Sequence, residues 1–116
     1  MLRGDVVLLH FPFSSGAGSK VRPAVVIQSN LNNRRLKSSI VAMIGSALRH
    51  SHEPTQLVID PNDPDGKSSG LLLVSAVKCE NLFTIDQSLV HRRIGALHPN
   101  LMDGVDNCLR ESLSLT

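Results

Sequence analysis

The basic side chains of this sequence are grouped. Lys20, Arg22, Arg34, Arg35, Lys37 and Arg49 fall between positions 20 and 49 without one Asp or Glu among them. Such a stretch is a local positive field, which draws polyphosphate through counterion release and steering, although a solvated basic face would read the same way. Arg22 carries a planar fork able to hold two phosphate oxygens at once, or to tie a loop down through a salt bridge. His10 ends an apolar run beside a Gly/Ser-rich stretch, and an imidazole titrating near neutrality serves readily as acid or base in phosphodiester cleavage. Lys78 and Glu80 lie two apart, so on a strand they share a face and can pair. Pairing lowers a carboxylate pKa and burial raises it, while an exposed salt bridge, worth about 0–1 kcal/mol, is an equally good reading.

Other candidates are weaker. His50, His52, His91 and His98 stand in polar contexts and read as surface residues or helix-end partners. Neither His50-Ser51-His52 nor the acidic turn over 60–65 completes a metal site, so no metal and no cofactor is expected. Cys79 and Cys108 lack a neighbouring Cys or His at zinc-finger spacing and read as reduced core thiols. With no Trp or Tyr and three Phe, base stacking is limited; Phe13 is the best stacking candidate, or else a partly buried core residue.

Strands must position these groups. Residues 6–11 form an apolar run closed by Pro12 and the Gly/Ser stretch. Residues 23–27 (Pro-Ala-Val-Val-Ile) predict a central strand covered on both faces, broken by the Ser/Asn-rich residues 29–33. Residues 40–44 and 56–59 predict two more strands, 71–77 one or two around Ser75, and 94–97 a short one. Asp86 reads as the N-cap of a one-turn helix. Behind Pro99, residues Leu101, Val105, Cys108, Leu109, Ser112 and Leu113 recur at helical spacing, which predicts a terminal helix packed on the sheet.

At 116 residues, 41% hydrophobic and 19% charged, the chain suits one domain over 1–116 with one core. No apolar run approaches the ~20 residues of a membrane helix, and no secretion signal opens the chain, so a cytoplasmic protein is expected. So many short strands are economically arranged as a small, strongly curved barrel.

Three segments in order resemble the MazF/PemK toxin family: Arg3-Gly4-Asp5-Val6-Val7, then Arg22-Pro23-Ala24-Val25-Val26-Ile27 after a Gly/Ser loop, then Thr84-Ile85-Asp86 before a basic stretch and Ile94-Gly95. The resemblance implies a mainly β fold, an SH3-like small barrel of the MazF/CcdB kind with a C-terminal α-helix. It also implies a homodimer, a cognate antitoxin with an acidic disordered tail, and sequence-specific, metal-independent cleavage of single-stranded RNA (mRNA). In that reaction the ribose 2′-hydroxyl attacks the adjacent phosphorus, leaving a cyclic phosphate and a 5′-hydroxyl.

The resemblance makes Arg22 the cation of that reaction. It places Gly45 where the family usually has threonine, so the phosphate contact passes to Ser46 or to backbone amides. Lys78 and Glu80 match a segment proposed as acid and base in one branch. RNA contacts are expected from His10, Phe13, Ser19, Lys20, Arg34, Arg35 and Gly45. Two other functions remain open: a topoisomerase-poisoning toxin like the CcdB family, whose tryptophan-containing tail this chain lacks, and a catalytically weak relative that only binds RNA or an antitoxin.

Overall fold

The chain runs through β1 (Asp5–Phe11), β2 (Lys20–Val26), α1 (Asn30–Arg35), β3 (Ser38–Gly45), β4 (Gln56–Ile59), a 3-10 turn (Lys67–Ser69), β5 (Ser75–Asp86), a second 3-10 turn (Gln87–Leu89), β6 (Val90–Ala96) and α2 (Pro99–Leu113). The computed structural model describes residues 1–11 and 20–116. The six strands join one antiparallel sheet in the order β4-β5-β3-β2-β1-β6. This is the mainly β architecture expected, with β2 central; β4 and β6 are its edges, and no ladder joins them among the described residues.

The apolar runs are continuous because both sheet faces are covered. Val6, Val25, Ala42 and Ile44 pack with Val77, Val105 and Cys108 on the face that carries α2. Their immediate neighbours Val7, Ala24, Val26, Val41 and Met43 pack with Leu9 and Ile85 on the other. In α2, Pro99 stands in the first turn and the His98 side chain accepts the Asn100 N–H at 3.1 Å. Near its end the Ser112 hydroxyl donates to the Cys79 carbonyl at 2.7 Å. Cys79 and Cys108 are free and buried as expected; burial, then the neighbouring Cys108, pushes the Cys79 thiol up to about 12.

Several expectations need correction. Residues 29–33 do not merely break the chain: Ser29 caps α1 by accepting the Asn32 N–H at 3.2 Å. Buried Asn33 anchors this helix, its side-chain Oδ1 accepting from Gln28 Nε2 and from the Ser39 hydroxyl at 2.7 Å. Residues 71–74 are not strand; the chain leaves Gly70 at φ 75° against the Ile94 carbonyl, and β5 starts only at Ser75 and runs on through Thr84. The predicted strand at 94–97 is the end of the longer β6. There a Cβ on Gly95 would lie 2.3 Å from the Ser68 carbonyl oxygen, so only glycine lets the 3-10 turn press on the edge, where the Ser68 hydroxyl donates to the Ala96 carbonyl at 2.8 Å.

Three register shifts interrupt the ladders, between Val6 and Val7, Leu8 and Leu9, and Ala42 and Met43, and the last two bear on the site. Ala42 lies opposite Leu82 but Met43 opposite Lys78, which throws Cys79, Glu80 and Asn81 out of the β3–β5 ladder. Leu9 lies opposite Val90 but Leu8 opposite Arg92, leaving His91 as the extra residue of β6.

Candidate active site

The central strands bring a small set of basic groups to one end of the sheet. Ala24 lies opposite Met43, and Met43 opposite Lys78. Continued two residues beyond its last pair, the β2–β3 register would set Arg22 across from Gly45. Since alternate residues share a face, Arg22, Met43, Gly45 and Lys78 belong to the same one. A Cβ on Gly45 would lie 3.2 Å from Lys78 Nζ and 3.3 Å from its Cε. The ammonium therefore lies over the glycine, where another residue's side chain would stand. Ser46 follows, exposed, at the end of the strand.

A cleft of about 770 Å³ opens at this end, with Arg22, Gly45 and Ser46 on one bank. Leu71, Leu72 and Leu73 form an apolar wall, and Arg92, Arg93 and Ile94 stand opposite. Leu72 and Leu73 are 94% and 65% exposed, so the wall is open to a ligand. Arg93 Nε donates to Asp5 Oδ1 at 3.0 Å, and that carboxylate is only 7% exposed. Among the described residues neither the Arg22 nor the Arg92 side chain has a hydrogen bond or an ion pair.

Lys78 and Glu80 do not pair. The bulge over 79–81 takes Glu80 off the regular alternation, and its Oε2 accepts from Gln56 Nε2 at 2.7 Å instead. His10 does reach the cleft end of β1, where its Nε2 lies 3.3 Å from His91 Nδ1 with the rings edge to face. Arg34 and Arg35 are not part of the cleft: they lie on α1, beyond the opposite end of β3, about 23 Å of strand away from Gly45. Lys20 begins β2 beside Arg22, while Phe13 and Ser19 lie outside the described residues. Sequence reasoning missed Arg92 and the partnership of His91; the basic stretch before Ile94 was visible, but not the direction of each side chain.

Among the described residues there is no group of three or more metal-binding side chains, and no helix is long and apolar enough to cross a membrane.

Comparison with known proteins gives a consistent result. Residues 2–113 match the family described as PemK-like, MazF-like toxin of type II toxin–antitoxin system. The chain is 33% identical over 114 residues to Endoribonuclease EndoA of Bacillus subtilis, covering 97% of this chain and 94% of that protein. It is 31% identical over 114 residues to Endoribonuclease MazF of Staphylococcus epidermidis, covering 97% and 91%. Among solved structures it matches a mycobacterial endoribonuclease in complex with its cognate antitoxin, with a TM-score of 0.80, 21% identity, and 100% and 97% of the two chains covered. A MazE-MazF structure from Deinococcus radiodurans matches with a TM-score of 0.77 and 18% identity, covering 100% and 98%. The full-length family match and the two relatives above 30% identity place this chain in the PemK-like, MazF-like family: it is an endoribonuclease toxin of a type II toxin–antitoxin system.

Proposed function

We propose that this toxin cleaves single-stranded RNA at the Arg22–Gly45–Lys78 end of the sheet, by attack of the ribose 2′-hydroxyl on the adjacent phosphorus and without a metal ion. The observation that supports this most is the Lys78 ammonium lying over Gly45, 3.2 Å from where a Cβ would stand, with Arg22 and Gly45 lining the same cleft. Arg22 holds two non-bridging phosphate oxygens and meets the charge that grows on them as the 2′-oxygen bonds to phosphorus. The 2′-proton passes to water and the P–O5′ bond breaks. Lys78 gives a proton to the departing 5′-oxygen, leaving a 2′,3′-cyclic phosphate and a 5′-hydroxyl. Ser46, and the backbone amides beside Gly45, supply neutral donors to the phosphate in place of a threonine hydroxyl. Glu80 fixes Gln56, which lies opposite Lys78, and so supports Lys78 from behind.

In the same reading the toxin works in the cytoplasm as a homodimer on mRNA, and is silenced by a cognate antitoxin whose acidic, disordered tail occupies the cleft. Solved relatives with antitoxin bound support that partner. The test is incubation of purified protein with a long unstructured RNA in EDTA, followed by end analysis. Cuts with 5′-hydroxyl and cyclic phosphate ends are expected. RNA that is bound but left intact would favour a weak, binding-only relative, and no RNA interaction would favour the topoisomerase-directed toxin.

A further inference from the structure

The bulge at His91 decides the orientation of an arginine that the reaction above does not use. Val90 lies opposite Leu9. Without an extra residue Leu8 would face His91, and Arg92 would face Val7, on the sheet face that buries Val7 and Leu9. With His91 extruded, Arg92 lies opposite Leu8. Leu8 in turn lies opposite Pro23 on β2, and Leu8, Pro23 and Arg92 all line the cleft. The bulge thus turns a guanidinium into a partly apolar cleft where, among the described residues, nothing balances it. Bulges commonly re-aim side chains in this way next to functional sites. The neighbouring Arg93 is different, since Asp5 already holds it at 3.0 Å.

Arg22 and Arg92 sit on β2 and β6, the two strands flanking β1. Their backbones are therefore two strand spacings apart, about 10 Å. Arg22 lies opposite Leu9 and Arg92 opposite Leu8, so the two leave neighbouring strands toward opposite faces of the sheet, and both line the cleft at its end. Two guanidiniums that line one cleft from strands about 10 Å apart, each without a side-chain partner among the described residues, suit two phosphates of one extended strand better than a single phosphate.

Resting on the reading of the cleft as an RNA site, we propose that Arg92 is a second phosphate-binding residue, which grips the RNA backbone beside the phosphate held by Arg22 and so fixes the strand's path across the cleft. It binds and positions the strand and touches no reacting atom.

The experiment measures binding of a 2′-O-methyl oligonucleotide, which lacks the attacking hydroxyl, across a salt series. Arg92→Ala should weaken binding about 10-fold and reduce the salt slope by about 0.7, the share of one phosphate contact on a single strand. Arg92→Lys keeps the point charge and loses the fork, so it should recover part of the affinity. Arg110→Ala removes the same charge from α2, where Arg110 bonds Asn107 at 2.7 Å, and should bind as the parent does. Parent-like affinity and slope in Arg92→Ala, or an equal loss in Arg110→Ala, would overturn the assignment. A parent that binds the oligonucleotide with this Arg92 dependence but leaves ordinary RNA uncut would overturn the cleavage reading and leave Arg92 in place. A parent that binds no oligonucleotide would overturn both.

Discussion

Filling the space over Gly45 is the sharpest probe of the proposed chemistry, because it moves Lys78 without altering it. Gly45 is not among the glycines with positive φ, which are Gly4 and Gly70. Side chains there stay in ordinary strand backbone, and stability should change by no more than about 1 kcal/mol. A Cβ would stand 3.2 Å from Lys78 Nζ, so the ammonium must retreat by about 0.5 Å to reach ordinary contact in Gly45→Ala. In Gly45→Val the branched atoms push it back by about 2 Å. An ammonium about 4 Å from a phosphate charge, at an effective dielectric near 20, interacts by about 4 kcal/mol. Retreat by about 0.5 Å removes about 0.5 kcal/mol of this and retreat by about 2 Å about 1.4, so turnover should fall about twofold and about 10-fold respectively. Gly45→Thr, equal in size to valine, should recover part of the loss by adding a hydroxyl donor worth about 1 kcal/mol. Initial rates on a fluorogenic chimeric oligonucleotide, with Tm measured alongside, give the series. In a Lys78→Ala background the same substitutions should have little effect. A Gly45→Val enzyme as fast as the parent, or one losing as much activity without Lys78 as with it, would refute the reasoning.

Arg22→Ala should cut turnover by about 10²–10³ while leaving fold and oligomeric state intact. Parent-level cleavage by a folded Arg22→Ala protein would remove the centre of the proposal. Ser46→Ala should lose about 10-fold or less, since nearby amides can substitute; the same oligonucleotide assay checks it. Sedimentation at micromolar concentration should find a homodimer, and a monomer that still cuts RNA would count against a groove shared by two chains. An acidic antitoxin tail should inhibit competitively and less well as salt rises; salt-insensitive inhibition with RNA still bound would contradict it. The Cys79 thiol is raised from 9.0 to about 12 by burial, so as pH climbs above 9 the unfolded chain loses a proton that the folded one keeps. That contribution to stability is full below pH 9 and is lost above it, and Tm should fall between pH 8 and pH 10.5 and fall less in Cys79→Ala.

What could be read directly in the sequence was whatever depends on pattern along one segment. The central strand at 23–27, the helix behind Pro99 and the Asp86 cap all follow from local composition, and the structure has each. What could not be read depends on register between segments. Lys78 and Glu80 satisfy the alternation rule, yet three extruded residues intervene in the ladder and Glu80 turns to Gln56. Arg92 and Arg93 are indistinguishable by type, but one extra residue at His91 sends the first into the cleft while the second holds Asp5. Helix α1 escaped notice because its six residues carry no apolar periodicity and depend on Ser29 and Asn33 for definition.

The close approach of Gly95 to Ser68 bears on how such a toxin stays dispersed when it accumulates. Strand β6 is a sheet edge, and an unguarded edge is a template for runaway pairing between copies. Its far half is obstructed by the 3-10 turn, held by Ser68 on Ala96, which leaves no room for an incoming strand at Gly95. Its near half presents His91, Arg92 and Arg93, all exposed, and a second copy brought alongside would set like charges against like. Fibril-like growth from this edge is thus opposed by steric blockage in one stretch and by repulsion in the next, so the basic residues proposed to hold RNA would also weaken association between copies.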